Sequence, residues 1–129
     1  DRYLNRVSLS YIDFFNKEDY KQENILNLLD INIILSQIDQ ATNKIDLQVE
    51  KEENDITTNI RILNRALVST SGGSDFNAKG LILDIACSKT VDDRVDIPSV
   101  LDNIHEYNKS TFFNCLKQET IELLSPHYE

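Results

Sequence analysis

Three consecutive stretches in the middle of the chain carry strand patterns, two alternating apolar and polar residues with a period of two and the third apolar on both alternations, and this restricts the fold more than any other feature. In KIDLQVEKE (44–52), Ile45, Leu47 and Val49 fall on one side and Asp46, Gln48 and Glu50 on the other, so the segment reads as a strand with one solvated face. The acidic EENDI is a turn. In ITTNIRILNRALVS (56–69) the alternation of Ile56, Thr58, Ile60 and Ile62 slips phase at Leu63, Leu67 and Val68, which predicts a bulge near Ile62 or Leu63. After the loop STSGGSDFNAKG, the run GLILDIACSKT (80–90) is apolar on both alternations except at Asp84, the pattern of a central or doubly covered strand. Strands adjacent in sequence and joined by turns predict an antiparallel meander.

The flanks complete an α+β pattern. Val7, Leu9 and Tyr11 alternate with Ser8 and Ser10, so Asn5 to Phe14 reads as a further half-buried strand. A short helix is expected around Tyr20 to Leu29, and a strand from Ile31 to Ile38, where helix and strand spacings both fit. Toward the C-terminus Asp96 is a helix N-cap and Pro98 sits in the first turn, where a missing N–H costs little. Ile97, Leu101, Ile104, Phe112, Cys115 and Leu116 then recur at three- and four-residue spacing, with Asn108 as the polar exception. ETIELLSP (119–126) forms a last short helix or turn that Pro126 should end. The fold expected is an antiparallel sheet of four to five strands with a long C-terminal helix packed on one face, in a single domain over 1–129.

Charge and thiols limit the partners. A net charge of -9, with 13 scattered basic residues, opposes nucleic acid and anionic membranes, whose recognition needs clustered Lys and Arg. No apolar run approaches the roughly 20 residues of a membrane span. Cys87 and Cys115 lie in apolar segments and read as buried, unpaired thiols of a reducing, cytoplasmic setting. The chain holds no methionine and opens on a strand pattern, so it is expected to be the C-terminal part of a longer protein.

Few residues suggest chemistry. His105 and Cys115, ten residues apart on one helix, are separated by about 15 Å of axial rise and cannot share a metal or a dyad. His105 could pair with Asp102 or Glu106 as a general base, or sit on an ordinary solvated face. His127 stands near the end of the chain, where no chemistry is expected. Asp84 should lie opposite Leu63 or Asn64, with Arg61 and Arg65 in diagonal reach, either as a cross-strand salt bridge or as part of a ligand site. The SGGS of the loop lacks the lysine and following helix of a phosphate loop. Neither a metal nor a cofactor is called for by any spacing present.

Three stretches, NRVSLSYIDFF, GLILDIACS and VLDNIHEYNKSTFFNCLKQETIELLSP, resemble in order and spacing the C-terminal half of a sporadically distributed family of uncharacterised bacterial proteins. Its members carry an R-x-x-L-R-Y-I-N-like strand, an L-D-I-D-like strand and a helix reading L-x-x-L-H-x-x-I-x-x-x-F. The matching positions are Arg6, Leu9, Tyr11 and Ile12, then Leu83, Asp84 and Ile85, then Leu101, Ile104, His105 and Phe112. Ser10, Asp13 and Ala86 depart from the pattern, so any polar cluster of the family is incomplete here. The resemblance implies a missing N-terminal half and brings no activity.

The reading that follows is a non-catalytic binding or assembly domain that contacts a protein partner or a second copy of itself. The alternative is a small-molecule sensor or enzyme with a pocket between helix and sheet, lined by Asp84, Arg65 and His105.

Overall fold

The computed structural model describes residues 5–20, 24–31, 43–69, 77–92 and 94–128. Four strands, β1 (Asn5–Asn16), β2 (Asp46–Glu53), β3 (Ile56–Ser69) and β4 (Asn77–Val91), form one antiparallel sheet in the order β1-β4-β3-β2. The meander read from the sequence is therefore β2, β3 and β4, and β1 closes against the far side of β4. Asn54 and Asp55 make the tight β2–β3 turn with φ of 55° and 64°, the left-handed pair that a two-residue hairpin requires.

Register sorts the side chains into two faces. Leu81, Leu83, Ile85 and Cys87 of β4 oppose Phe15, Asp13, Tyr11 and Leu9 of β1, and Ile85, Leu83 and Cys87 oppose Ile60, Ile62 and Thr58 of β3. This face is the core side, and α2 (Ile97–Asn114) packs over its β1 and β4 portion. The other face carries Ser10, Ile12 and Phe14 of β1 together with Ile82, Asp84 and Ala86 of β4. Among the described residues nothing covers it, so β4 is central, as its pattern predicts, but buried on one side only. The bulge falls between Leu63 and Ala66. Asn64 anchors it, accepting from the Ile45 amide at 2.7 Å and donating to the Asn43 carbonyl at 2.9 Å.

Three expectations are corrected. The segment read as one helix over Tyr20 to Leu29 starts on the last residue of the single turn α1 (Lys17–Tyr20) and holds a separate 3₁₀ turn, Ile25–Leu28, whose N-cap Asn24 accepts from the Leu26 amide at 3.1 Å. It stops there because its end is tied elsewhere. The Asp30 amide bonds the Cys115 carbonyl at 2.7 Å, and the Lys117 amide and Thr120 hydroxyl bond the Leu28 carbonyl at 3.2 and 2.7 Å. The same ties divide the C-terminal helical region, so the long helix expected there ends at Asn114 and a short α3 (Gln118–Tyr128) follows. α3 also runs two residues past Pro126, since a proline so near the end forfeits one amide donor and its own φ is helical. The strand expected over Ile31 to Ile38, apart from Ile31, and the SGGS loop lie outside the described residues.

The buried stripe of α2 also differs from the one read by periodicity. Val100, Ile104, Asn108, Thr111 and Phe112 are buried, whereas Ile97 and Leu101 are exposed. The rotation is set by Asn108, 2% exposed, whose amide donates to the Ile85 carbonyl at 2.9 Å and the Leu9 carbonyl at 3.4 Å. A buried amide must find acceptors, and here they come from the backbones of both β4 and β1. Those bonds fix the helix over β1 and β4.

Candidate functional site

The placement of α2 leaves a groove between the helix and the edge strand β1. Tyr11 and Asp13 of β1 form one wall, and His105, Asn108, Lys109, Phe112 and Phe113 of α2 form the other. These seven side chains enclose about 290 Å³, at the bottom of the range of pockets that hold small molecules. The floor is apolar, with Phe112 and Phe113 in an edge-to-face pair at 5.1 Å. Tyr11 closes one end, its hydroxyl 3.1 Å from His105 Nδ1 and its ring edge-on to the imidazole at 5.9 Å. His105 is thus held by a phenol on the strand rather than by Asp102 or Glu106 on its own helix.

Asp13 is the one acid on this wall. It alternates with Val7, Leu9 and Tyr11 on the core side of β1, at a position where the period-two pattern calls for an apolar residue. Its carboxylate is half-buried, and burial pushes its pKa above the ordinary value. Among the described residues it has neither an ion-pair nor a hydrogen-bond partner. The sequence therefore held a signal for Asp13, an acid breaking an apolar alternation, which the motif-based reading passed over.

The three residues singled out from the sequence do not converge. His105 lines the groove. Asp84 lies on the opposite face of the sheet, where Ser10 donates to it at 3.2 Å. Its direct neighbour on β3 is Arg61, not Leu63 or Asn64, because Ser69 pairs with Asn77 and the bulge between Leu63 and Ala66 then takes up a further residue. Arg61 in turn gives both arms of its guanidinium to Asp46, at 3.1 and 3.0 Å, and holds that carboxyl below its usual range. Arg61 thus pairs with Asp46 on this face, and Arg65, exposed on β3, does not line the groove. A pocket made jointly by Asp84, Arg65 and His105 is not formed, since a sheet separates the first from the last. The side chain of His127 lies outside the described residues.

Catalytic features remain sparse. Cys87 and Cys115 are unpaired thiols, and burial raises the pKa of both, which disfavours the thiolate and makes them poor nucleophiles. No group of three or more His, Cys, Asp or Glu side chains could hold a metal ion among the described residues. A second depression of about 490 Å³ on the open face is polar, with Arg6 already bonded to Ser88 at 2.7 Å and Glu50, Glu52 and Asp55 on its rim. No helix among the described residues is long and apolar enough to cross a membrane.

What sets the groove apart is the strand beside it. Among the described residues the two edges of the sheet are β1 and β2. β2 is eight residues long and five of them are charged, the common guard against unwanted pairing. β1 is twelve residues long, with Arg6 and Asp13 as its only charges, and no strand pairs with its outer side among the described residues. Tyr11 and Ile12 on it are 42% and 66% exposed. No family model matches the chain, and neither a curated protein nor a solved structure matches it significantly.

Proposed function

We propose that this is a non-catalytic binding domain that takes up an extended protein segment as a fifth strand along β1. The observation that carries this reading is the pairing of an unguarded edge with an apolar groove on its helix side. Alternate backbone N–H and C=O groups of an edge strand point outward and supply affinity for any extended chain. Side chains of the added strand alternate between faces, so every second one would drop into the groove between β1 and α2, where Phe112, Phe113 and Tyr11 accept apolar groups. The net charge of -9 and the guarded β2 edge keep the domain from stacking on itself at its other side. The same reading carries the sequence expectations of a cytoplasmic location, supported by the two free thiols, and of a bacterial origin, supported by the strand and helix motifs.

Selection from a random nine-residue peptide library tests it. The domain should enrich peptides with apolar residues at alternate positions. Placing lysines on the edge, as Ser10→Lys with Ile12→Lys, should weaken those peptides at least tenfold, whereas Gln48→Lys on β2 should leave them unchanged. Enrichment of nothing, or of peptides indifferent to the β1 lysines, would overturn the proposal. A small-molecule site in the same groove is the second reading, favoured by the Tyr11–His105 hydrogen bond. Stabilisation by one metabolite class in a thermal-shift screen, lost in His105→Ala, would establish it instead.

A further inference from the structure

If β1 accepts a strand, the groove also states what that strand must carry. The geometry points to a segment from a different protein, bearing a lysine or arginine that pairs with Asp13 beside an apolar side chain seated against Phe112 and Phe113. This rests on the strand-addition reading and adds the class of partner to it.

Asp13 supplies the first part of the argument. A half-buried carboxylate without a partner among the described residues, in a groove floored by two phenylalanines, is an unusual resident, because charges in partly covered positions are normally paired. Lys109 lines the same groove from the helix side, yet it is exposed and makes no ion pair with Asp13. A residue directly opposite Asp13 on an added strand would stand about 5 Å away between Cβ atoms, near enough for a direct pair. An acid there would face a like charge, and a neutral residue would bury the carboxylate further with nothing to offset it. Only a cation improves the site. The net charge of -9 draws a basic segment toward the domain from a distance as well.

Register decides between a partner and a second copy. In an antiparallel pair, opposed residues point to the same face, so two copies of β1 joined about a two-fold axis must set helix-side residues against helix-side residues. The helix-side positions of β1 are Val7, Leu9, Tyr11, Asp13 and Phe15, as the pairing of the last four with the buried Cys87, Ile85, Leu83 and Leu81 of β4 and the alternation along the strand show, and none is basic. Arg6, the only cation of β1, lies on the open face with Ser8 and Ser10. No register of β1 on itself gives Asp13 a cation, and the symmetric one centred on Asp13 places two carboxylates together. The β2 edge of another copy does no better. Its cation Lys51 is 3.4 Å from Glu53 and sits over the Tyr107 ring at 5.6 Å, with Glu50, Glu52 and Glu53 around it.

The test uses capped nine-residue peptides of alternating threonine and valine, with one phenylalanine among the valine positions and lysine, glutamine or glutamate at the next such position on either side. Affinities for the full chain are measured by titration calorimetry, and light scattering follows its oligomeric state. The lysine peptide should bind at least tenfold tighter than the glutamate one. Asp13→Asn should remove that preference, and Asp13→Lys should reverse it. Equal affinity for the three peptides, or an order that Asp13 substitutions leave unchanged, would overturn the inference, while strand addition would stand if Ser10→Lys with Ile12→Lys still abolished binding. A set in which no peptide binds would overturn the inference outright, and the library selection would judge strand addition separately. A stable dimer abolished by the β1 lysines would likewise contradict it, since β1 would then have a second copy as its occupant.

Discussion

The two edges of this sheet are built from opposite principles. β2 is short and presents Asp46, Glu50, Lys51, Glu52 and Glu53, and its Asp46 forms a forked pair with Arg61 of β3. β1 is half as long again, nearly uncharged, and braced from above by a buried helix amide. An edge that is both rigid and unguarded is a liability in an isolated domain and an asset in one that binds strands. The difference is the ground on which the proposed binding function is assigned to β1 rather than β2.

The most disruptive way to break the comparison is to unseat β1. A Cβ at Gly80 would run into the carbonyl of Phe15, which lies where the end of β1 crosses close to β4. Gly80→Ala should therefore cost roughly 2–4 kcal/mol in chemical denaturation and preferentially expose the amides near Phe15. Next comes the brace. Asn108→Ala removes the donor to the Ile85 and Leu9 carbonyls and should cost about 1–3 kcal/mol by the same measurement. A smaller effect follows from unguarding the other edge. Glu50→Thr with Glu52→Thr should leave stability nearly unchanged and produce weak, concentration-dependent association, with Kd on the order of 1 mM or tighter by sedimentation velocity.

The smallest effect sharpens the comparison by way of Asp13. Burial raises the folded pKa of Asp13 above its ordinary value of 3.8, so the folded protein holds this proton to higher pH than the unfolded chain does. The carboxylate therefore subtracts nothing below that ordinary value, and it progressively lowers stability as pH rises through the folded pKa. Asp13→Asn should raise Tm by roughly 1–4 °C at pH 7 and leave it unchanged at pH 3. A Tm rise of equal size at both pH values would mean that Asp13 acts through packing and not through its charge.

Much of the fold was legible because it depends on local alternation. The strands of the meander, the bulge near Leu63 and the N-cap at Asp96 follow from residue order alone. Elements held by distant contacts were not legible. The 3₁₀ turn at Ile25–Leu28 ends where it does because Leu28 and Asp30 bond the junction between α2 and α3, some ninety residues later in the chain by the Thr120–Leu28 separation of 92. Asp84 was placed two or three residues out of register because the alternation signals that a bulge occurs but not the register in which the hairpin starts, and both shift the pairing. At the site, His105 was found as a rare residue type. Asp13 was missed because its meaning lies in the face it shares with Tyr11, and the face matters only once β1 is known to be an edge.

Backbone hydrogen exchange with and without the tightest library peptide tests strand addition most directly. Bound peptide should slow exchange at alternate amides of β1, from Asn5 to Asn16, and leave the amides of β2 as they were. Protection that appears in β2, on α3, or nowhere in β1 would contradict the account.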